Sequence, residues 1–410
     1  MPTSIRSTTA PTTSSQVGAA ATDAPSADSR PSTSVIAGRA GCLRLYPIAL
    51  GLGGLGGAWR TAIAVGAPAW PAVTLSVLSL GAWITITAMY LLKGGRRPRA
   101  FIEDMRHPEQ GFALGYIPVI PLLLLARAPR TPGFRILDLG LAAMWAVGTA
   151  ALVAHWITTP RDRHAIHPGF SLPVIGGPFI ACISLQANGW HALAQGLFTV
   201  GIYFGVTFGS LIVGRLMTEQ RLTDARFPTL AVLMVPPATA STACFGLNDN
   251  RVTTFGIGLA AVLGMMALIQ LFILPDYFRR PFTISWWSFS FPLASTANTV
   301  GPWAIAAPNP ASRLLTWSTL IIATAIIGLL AVLTVRIVWR TSREARADRV
   351  RHGDNTLVGR RDQRRRRRCR RPGSQAHQAS GLTSLRRLRC CLDERANRQQ
   401  RADDVGQCLQ

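Results

Sequence analysis

Between Leu43 and Val338 the chain alternates apolar stretches of about twenty residues with short polar breaks. The stretches fall at 44–66, 71–92, 111–127, 136–158, 167–186, 191–216, 228–247, 253–274, 285–307 and 314–338. A helix rises about 1.5 Å per residue and the hydrocarbon core of a bilayer is about 30 Å thick, so each stretch is long enough to be a crossing. The pattern predicts an all-α integral membrane domain of ten transmembrane helices over residues 43–340. Residues 1–42 are rich in Ser, Thr, Ala and Pro and hold no apolar block. Such a segment cannot bury enough surface to fold and is expected to be a disordered arm. It has no charged region, apolar region and cleavage site in the order of a signal peptide, so the first helix is expected to act as the insertion signal.

Counted along the chain, the stretches pair into five hairpins, with very short connections after the first (GAPAW), fifth (QANGW) and seventh (NDN). Proline divides the two members of each pair. The odd stretches carry Pro47, Pro118 and Pro121, Pro173 and Pro178, Pro236 and Pro237, and Pro292, whereas Pro71 and Pro275 sit at the ends of even ones. Proline removes a backbone donor and kinks a membrane helix, and the carbonyls it frees need protein or water. Kinked odd helices are therefore expected inside the bundle beside a cavity, and straight even helices outside against lipid.

Composition sharpens the class. The chain is 49% hydrophobic and 15% charged, short of the roughly 25% charge of a soluble domain. Its net charge of +24 would suggest a nucleic-acid partner, but roughly half of the basic residues follow Val338. The tail 341–410, with its run RRDQRRRRRCRRP, is expected to be a solvated, disordered extension. A lipid-binding or nucleic-acid role for it is the lesser reading. Cys42, Cys182 and Cys244 are scattered in apolar stretches, and Cys369, Cys390, Cys391 and Cys408 lie in the tail. None has metal-ligand spacing, so no metal and no cofactor are expected.

Basic residues in the short loops set the orientation. Connections after even stretches hold Lys93, Arg96, Arg97, Arg99, Arg106, Arg161, Arg163, Arg215, Arg221, Arg226, Arg279 and Arg280; the others hold Arg60, Arg127, Arg130, Arg135, Arg251 and Arg313. Twelve against six puts the first set, and both termini, in the cytoplasm of a multi-pass cell-membrane protein. Apart from Arg60, Asp138 and Arg215 near segment ends, no Asp, Glu, Lys or Arg stands at bilayer depth. That argues against a carboxylate proton pump and against an enzyme needing paired carboxylates or a metal. His155 and His191 are isolated and read as packed or interfacial.

The ninth stretch, SWWSFSFPLASTANTVGPWAIAA, is the richest. Ser288, Phe291, Ser295 and Thr299 recur every three or four residues and so share one helical face. This face is either a hydroxyl-lined pore with an apolar plug or a small-residue helix interface, and spacing alone leaves both open. Neutral hydroxyl walls without an acidic ring do not attract cations, and arginine-rich mouths concentrate anions. Anions are the expected cargo.

WWSFSFPLAST, the stretch FIEDMRHPEQGFALGYIPV with its Glu-x-x-x-His-Pro pattern, and the ten-helix plan resemble the tellurite-resistance/dicarboxylate transporter family. The resemblance covers about residues 43–340. It implies five helical hairpins in a pseudo-fivefold ring around a central pore, odd helices lining it, and a homotrimer. It also implies that the phenylalanine before the ninth-segment proline, Phe291, occludes the pore. The expected function is anion transport through that pore. Alternatives are a carrier for malate-like C4-dicarboxylates, sulphite or tellurite, and, from another class, a membrane-anchored binding protein acting through its basic tail.

Overall fold

Among residues 38–160, 165–306 and 308–369, which the computed structural model describes, every regular element is helical. Residues 1–37 of the expected arm and 370–410 of the expected tail lie outside the described residues. The helices are α1 (Arg39–Leu43), α2 (Tyr46–Ala62), α3 (Trp70–Tyr90), α4 (Pro98–Arg106), α5 (Tyr116–Leu125), α6 (Pro132–Thr158), α7 (Gly177–Ala187), α8 (His191–Thr218), α9 (Val235–Leu247), α10 (Thr254–Phe278), α11 (Ser290–Ala306) and α12 (Pro310–Cys369). By contacts the chain divides into residues 1–339 and 340–410, and α12 has residues in both units.

Among the described residues, eight helical segments are long and apolar enough to cross a membrane. Two more are shorter: the apolar Gly111–Leu125 and the 17-residue α11. The eight sort into two kinds. Gly41–Val65, Pro168–Ala187 and Phe227–Leu247 have 56%, 83% and 61% of their most apolar window buried, against 17%, 33%, 11%, 11% and 17% for the segments containing α3, α6, α8, α10 and α12. Leucine, phenylalanine and methionine side chains stand bare on the second group, as at Phe272, 86% exposed. Apolar surface on that scale belongs in lipid. This is a multi-pass membrane protein.

The buried helices touch one another in sequence: α2 packs on α5, α5 on α7, α7 on α9, α9 on α11, and α11 back on α2. The first four also pack on the exposed helix that follows each: α2 on α3, α5 on α6, α7 on α8 and α9 on α10. The glycine-rich α2 makes its approach possible. A Cβ at Gly54 would come within 2.9 Å of Phe291 Cδ2, and one at Gly57 would overlap the Arg127 guanidinium.

The prolines do something other than kink helix middles. Pro47, Pro178 and Pro236 stand at the second position of α2, α7 and α9, and Pro237 is the third residue of α9. Pro118 and Pro292 are the third residues of α5 and α11, and Pro173 lies in a five-residue π turn, Leu172–Gly176, just before α7. Only Pro121 among these is inside a helix, and Pro275, expected at an end, lies within the last turn of α10. The buried segments are thus broken: a 3₁₀ or π turn leads into α5, α7, α9 and α11, and the short α1 precedes α2. Proline fits the first helical turn because the N–H groups there have no intrahelical acceptor.

Where a proline does leave a carbonyl bare, an exposed helix supplies the donor. The Pro121 nitrogen would have donated to Ile117, four residues back; instead Trp83 Nε1 of α3 donates to that carbonyl at 3.0 Å. In the π turn the five-residue partner of Pro173 is Pro178, which has no N–H, and Trp145 Nε1 of α6 donates to the Pro173 carbonyl at 2.9 Å. In hydrocarbon an unmet carbonyl is costly. These two indoles pin outer helices to inner ones.

Candidate functional site

The buried segments converge on a cavity of about 320 Å³. Leu43, Arg44 and Pro47 reach it from the first segment, residues 109–116 from the second, His167 to Leu172 from the third, Arg226 to Val232 from the fourth, and Ile284, Ser285 and Ser288 from the fifth. All of these lie at the amino-terminal ends of the segments that carry α2, α5, α7, α9 and α11.

Local chemistry holds the cavity wall in place. In the Glu-x-x-x-His-Pro pattern, Glu103 and Asp104 pair with Arg39 at 3.5 and 3.2 Å, and the Tyr90 hydroxyl donates to Asp104 at 3.0 Å. His107 ends α4 and accepts the Glu109 N–H on Nδ1 at 3.2 Å. The turn delivers Glu109 to the cavity, where it forms an ion pair with Arg226. The hydrogen bond from Arg226 holds the Glu109 carboxyl below the usual carboxylate range. His167 accepts the Gly169 N–H on Nδ1 at 3.1 Å.

The four residues of the ninth-segment face have different surroundings. Ser288 is in a 3₁₀ turn, Ile284–Phe289, and lines the cavity; its Oγ is buried and makes no hydrogen bond. Phe291, 3% exposed, lies one turn further on, at the start of α11, against Gly54. Ser295 donates to the Pro292 carbonyl at 3.0 Å, and Thr299 reaches the carbonyls of Ser295 and Ala238 at 3.0 and 2.8 Å. Thr299 Oγ1 is also 3.2 Å from Thr242 Oγ1. A hydroxyl that gives its proton to a carbonyl has only lone pairs left, which do not solvate an anion. In this conformation Ser295 and Thr299 therefore serve the packing of α11, including its contact with α9, and Ser288 is the member of the stripe with a donor to spare.

Two features escape the segment pattern. Arg127, counted as a loop arginine, turns inward: it donates to the carbonyls of Gly53 and Leu123 at 3.3 and 3.2 Å and to Asn298 Oδ1 at 3.2 Å. Asp138 is fully buried in α6 and accepts from Ser184 Oγ and Asn188 Nδ2 of the α7 region. It clamps two segments and stands away from the cavity lining. Of the cysteines, Cys42, Cys182 and Cys244 are buried and free.

An all-helical membrane domain with broken inner helices meeting at a basic cavity invites comparison with known transporters. The sequence model of the SLAC1 family, described as voltage-dependent anion channel, matches residues 43–335. The chain belongs to this family. Its similarity to individual family proteins is modest. It is 25% identical over 235 residues to the tellurite resistance protein TehA homolog of Haemophilus influenzae, which covers 55% of this chain and 69% of that one. It is 27% identical over 198 residues to the guard cell S-type anion channel SLAC1 of Arabidopsis thaliana, covering 46% and 34%, and 25% identical over 234 residues to the S-type anion channel SLAH4 of the same plant, covering 54% and 62%. The match therefore takes in about a third of the guard-cell SLAC1 chain. The family match runs through every segment that lines the cavity and stops before the Arg-rich tail.

Proposed function

We propose that this SLAC1-family protein conducts anions across the cell membrane, with both termini cytoplasmic, along a path enclosed by α2, α5, α7, α9 and α11 and closed by Phe291. On this reading the transport domain is residues 43–340: ten membrane helices, paired as five hairpins in a fivefold ring, assembled as a homotrimer. The tails 1–42 and 341–410 lie outside the path. The observation that carries the proposal is the cavity one turn from Phe291, built from all five buried segments and bordered by arginines. The cyclic order of contacts among the buried helices supports the ring, and the names of the relatives support the cargo. No covalent step is involved: the path supplies donors and positive potential, and an apolar ring at the constriction denies a passing ion its hydration.

The test is anion flux into liposomes holding the purified chain, with chloride, nitrate, sulphite and malate compared. Phe291→Ala is expected to raise flux at least tenfold over wild type. Flux at or below wild type from well-folded Phe291→Ala protein would remove the gate. A chain ending at 344 is expected to keep its flux; loss of flux would favour the tail-based reading.

A further inference from the structure

We propose that the cavity beneath Phe291 is a binding site for a monovalent oxyanion, held by the Ser288 hydroxyl and the guanidinium groups of Arg44 and Arg226, with Glu109 occupying Arg226 in the anion's absence. This rests on the reading of the buried bundle as an anion path, and adds to it a resting place short of the constriction.

The first observation is Ser288 itself. It is 8% exposed, lines the cavity, and its Oγ has no hydrogen-bond partner. Its neighbours find acceptors: Ser290 bonds the carbonyls of Trp287 and Pro47 at 2.6 and 3.1 Å, and Ser295 and Thr299 bond carbonyls of α11. Buried hydroxyls are almost always paired, and one that is not calls for a ligand. A second observation lies just behind the wall. Arg215 is 7% exposed with Nε and Nη1 buried and unpartnered, close enough to the cavity residue His167 to act on its charge.

The lining decides the class of ligand. Two guanidinium groups and one carboxylate border the cavity, a positive balance that suits an anion of low charge. Guanidinium offers its N–H groups as a fork that matches two oxygens of one anion better than a single spherical ion. The cavity is at the small end of ligand pockets, near 300 Å³, ample for formate or nitrate with some water. Glu109 is then the tethered stand-in: its carboxylate makes with Arg226 the contact that a free oxyanion would take over.

The experiment is equilibrium dialysis of the detergent-purified full chain against ¹⁴C-formate at fixed ionic strength. Saturable binding of one formate per chain is expected, displaced by nitrate at far lower concentration than by chloride. Ser288→Ala is expected to weaken binding about tenfold. Glu109→Gln, which removes the competing charge, is expected to tighten it several-fold, a gain that a misfolded protein cannot mimic. Absence of saturable formate binding, equal displacement by chloride, an unchanged Kd in Ser288→Ala, or weaker binding in Glu109→Gln would each overturn the site. Binding needs no conduction: formate held by a chain whose Phe291→Ala variant stays closed would sink the path and keep the site, and flux without binding would do the reverse.

Discussion

The buried helices and the exposed helices of this protein are both apolar and do opposite jobs. α7 is interrupted at its start by a π turn, carries proline and glycine, and is almost wholly covered; α8, which follows it, is an unbroken 28-residue helix with little of its surface covered. The exposed segments are the more hydrophobic of the two kinds, but both are apolar enough to enter lipid, so hydrophobicity alone does not decide which is covered. Backbone regularity does. A helix facing lipid must satisfy every carbonyl within itself, whereas a helix surrounded by protein can break, because neighbours such as Trp83 and Trp145 supply the missing donors.

The sharpest way to break this comparison is to make matched truncations on its two sides. Ile180→Ala in α7, where the side chain is 1% exposed, should leave a cavity costing about 2–4 kcal/mol. Phe272→Ala on α10 removes a larger side chain from a bare position and should change stability by under about 0.5 kcal/mol. Thermal unfolding in one detergent reads both, and similar melting points would show that the two shells are not distinct. A smaller effect is expected where the shells are tied together. Trp145→Phe keeps the ring and leaves the Pro173 carbonyl bare, for a loss of about 1–3 kcal/mol, while Trp156→Phe at the far end of the same helix serves as the control.

Orientation gives a yes-or-no result. A cysteine at Arg251, on the short turn after α9, should react with an impermeant thiol reagent applied to intact cells, and one at Asp224 should not. Labelling at 224 alone would invert the path. Arg251 is the better probe because Asn250 adopts a left-handed backbone with φ of 60°, and Asn188 is buried against Asp138.

The least effect is expected from mild acid. Arg226 holds the Glu109 carboxyl below its ordinary range. The stability this pair lends is therefore present above the unfolded carboxylate pKa, near 4.3, and is lost as pH falls through the lower folded value. Between pH 7 and 5 the pair should stay ionised, and Glu109→Gln should alter anion flux by the same factor at both ends of that range. A factor that changes across this interval would mean that Glu109 titrates there.

Much of this was legible in one dimension. Proline in alternate apolar stretches foretold which helices are covered, because the cost of a broken backbone in lipid leaves few other places for it. Ser288 and Phe291 were visible as a face of the ninth stretch. The fate of Ser295 and Thr299 turns on competition from carbonyls three and four residues back, a habit of hydroxyls in helices that the stripe does not display. The partners of Trp83 and Trp145 are 34 and 28 residues away, and the Arg226–Glu109 pair joins two different segments, so nothing local announces them. Arg127 looked like a loop charge because position in a chain does not tell which way a long side chain folds back.

The breaks in the inner segments have an electrostatic outcome that needs no side chain at all. Because the segments that carry α2, α5, α7, α9 and α11 all have their amino-terminal ends at the cavity, five helix starts lie around one small volume. Each helix start carries about half a positive charge from its aligned peptide dipoles. Summed around the cavity, that field favours negative ions, is the same for every sequence that keeps the breaks, and is beyond the reach of pH.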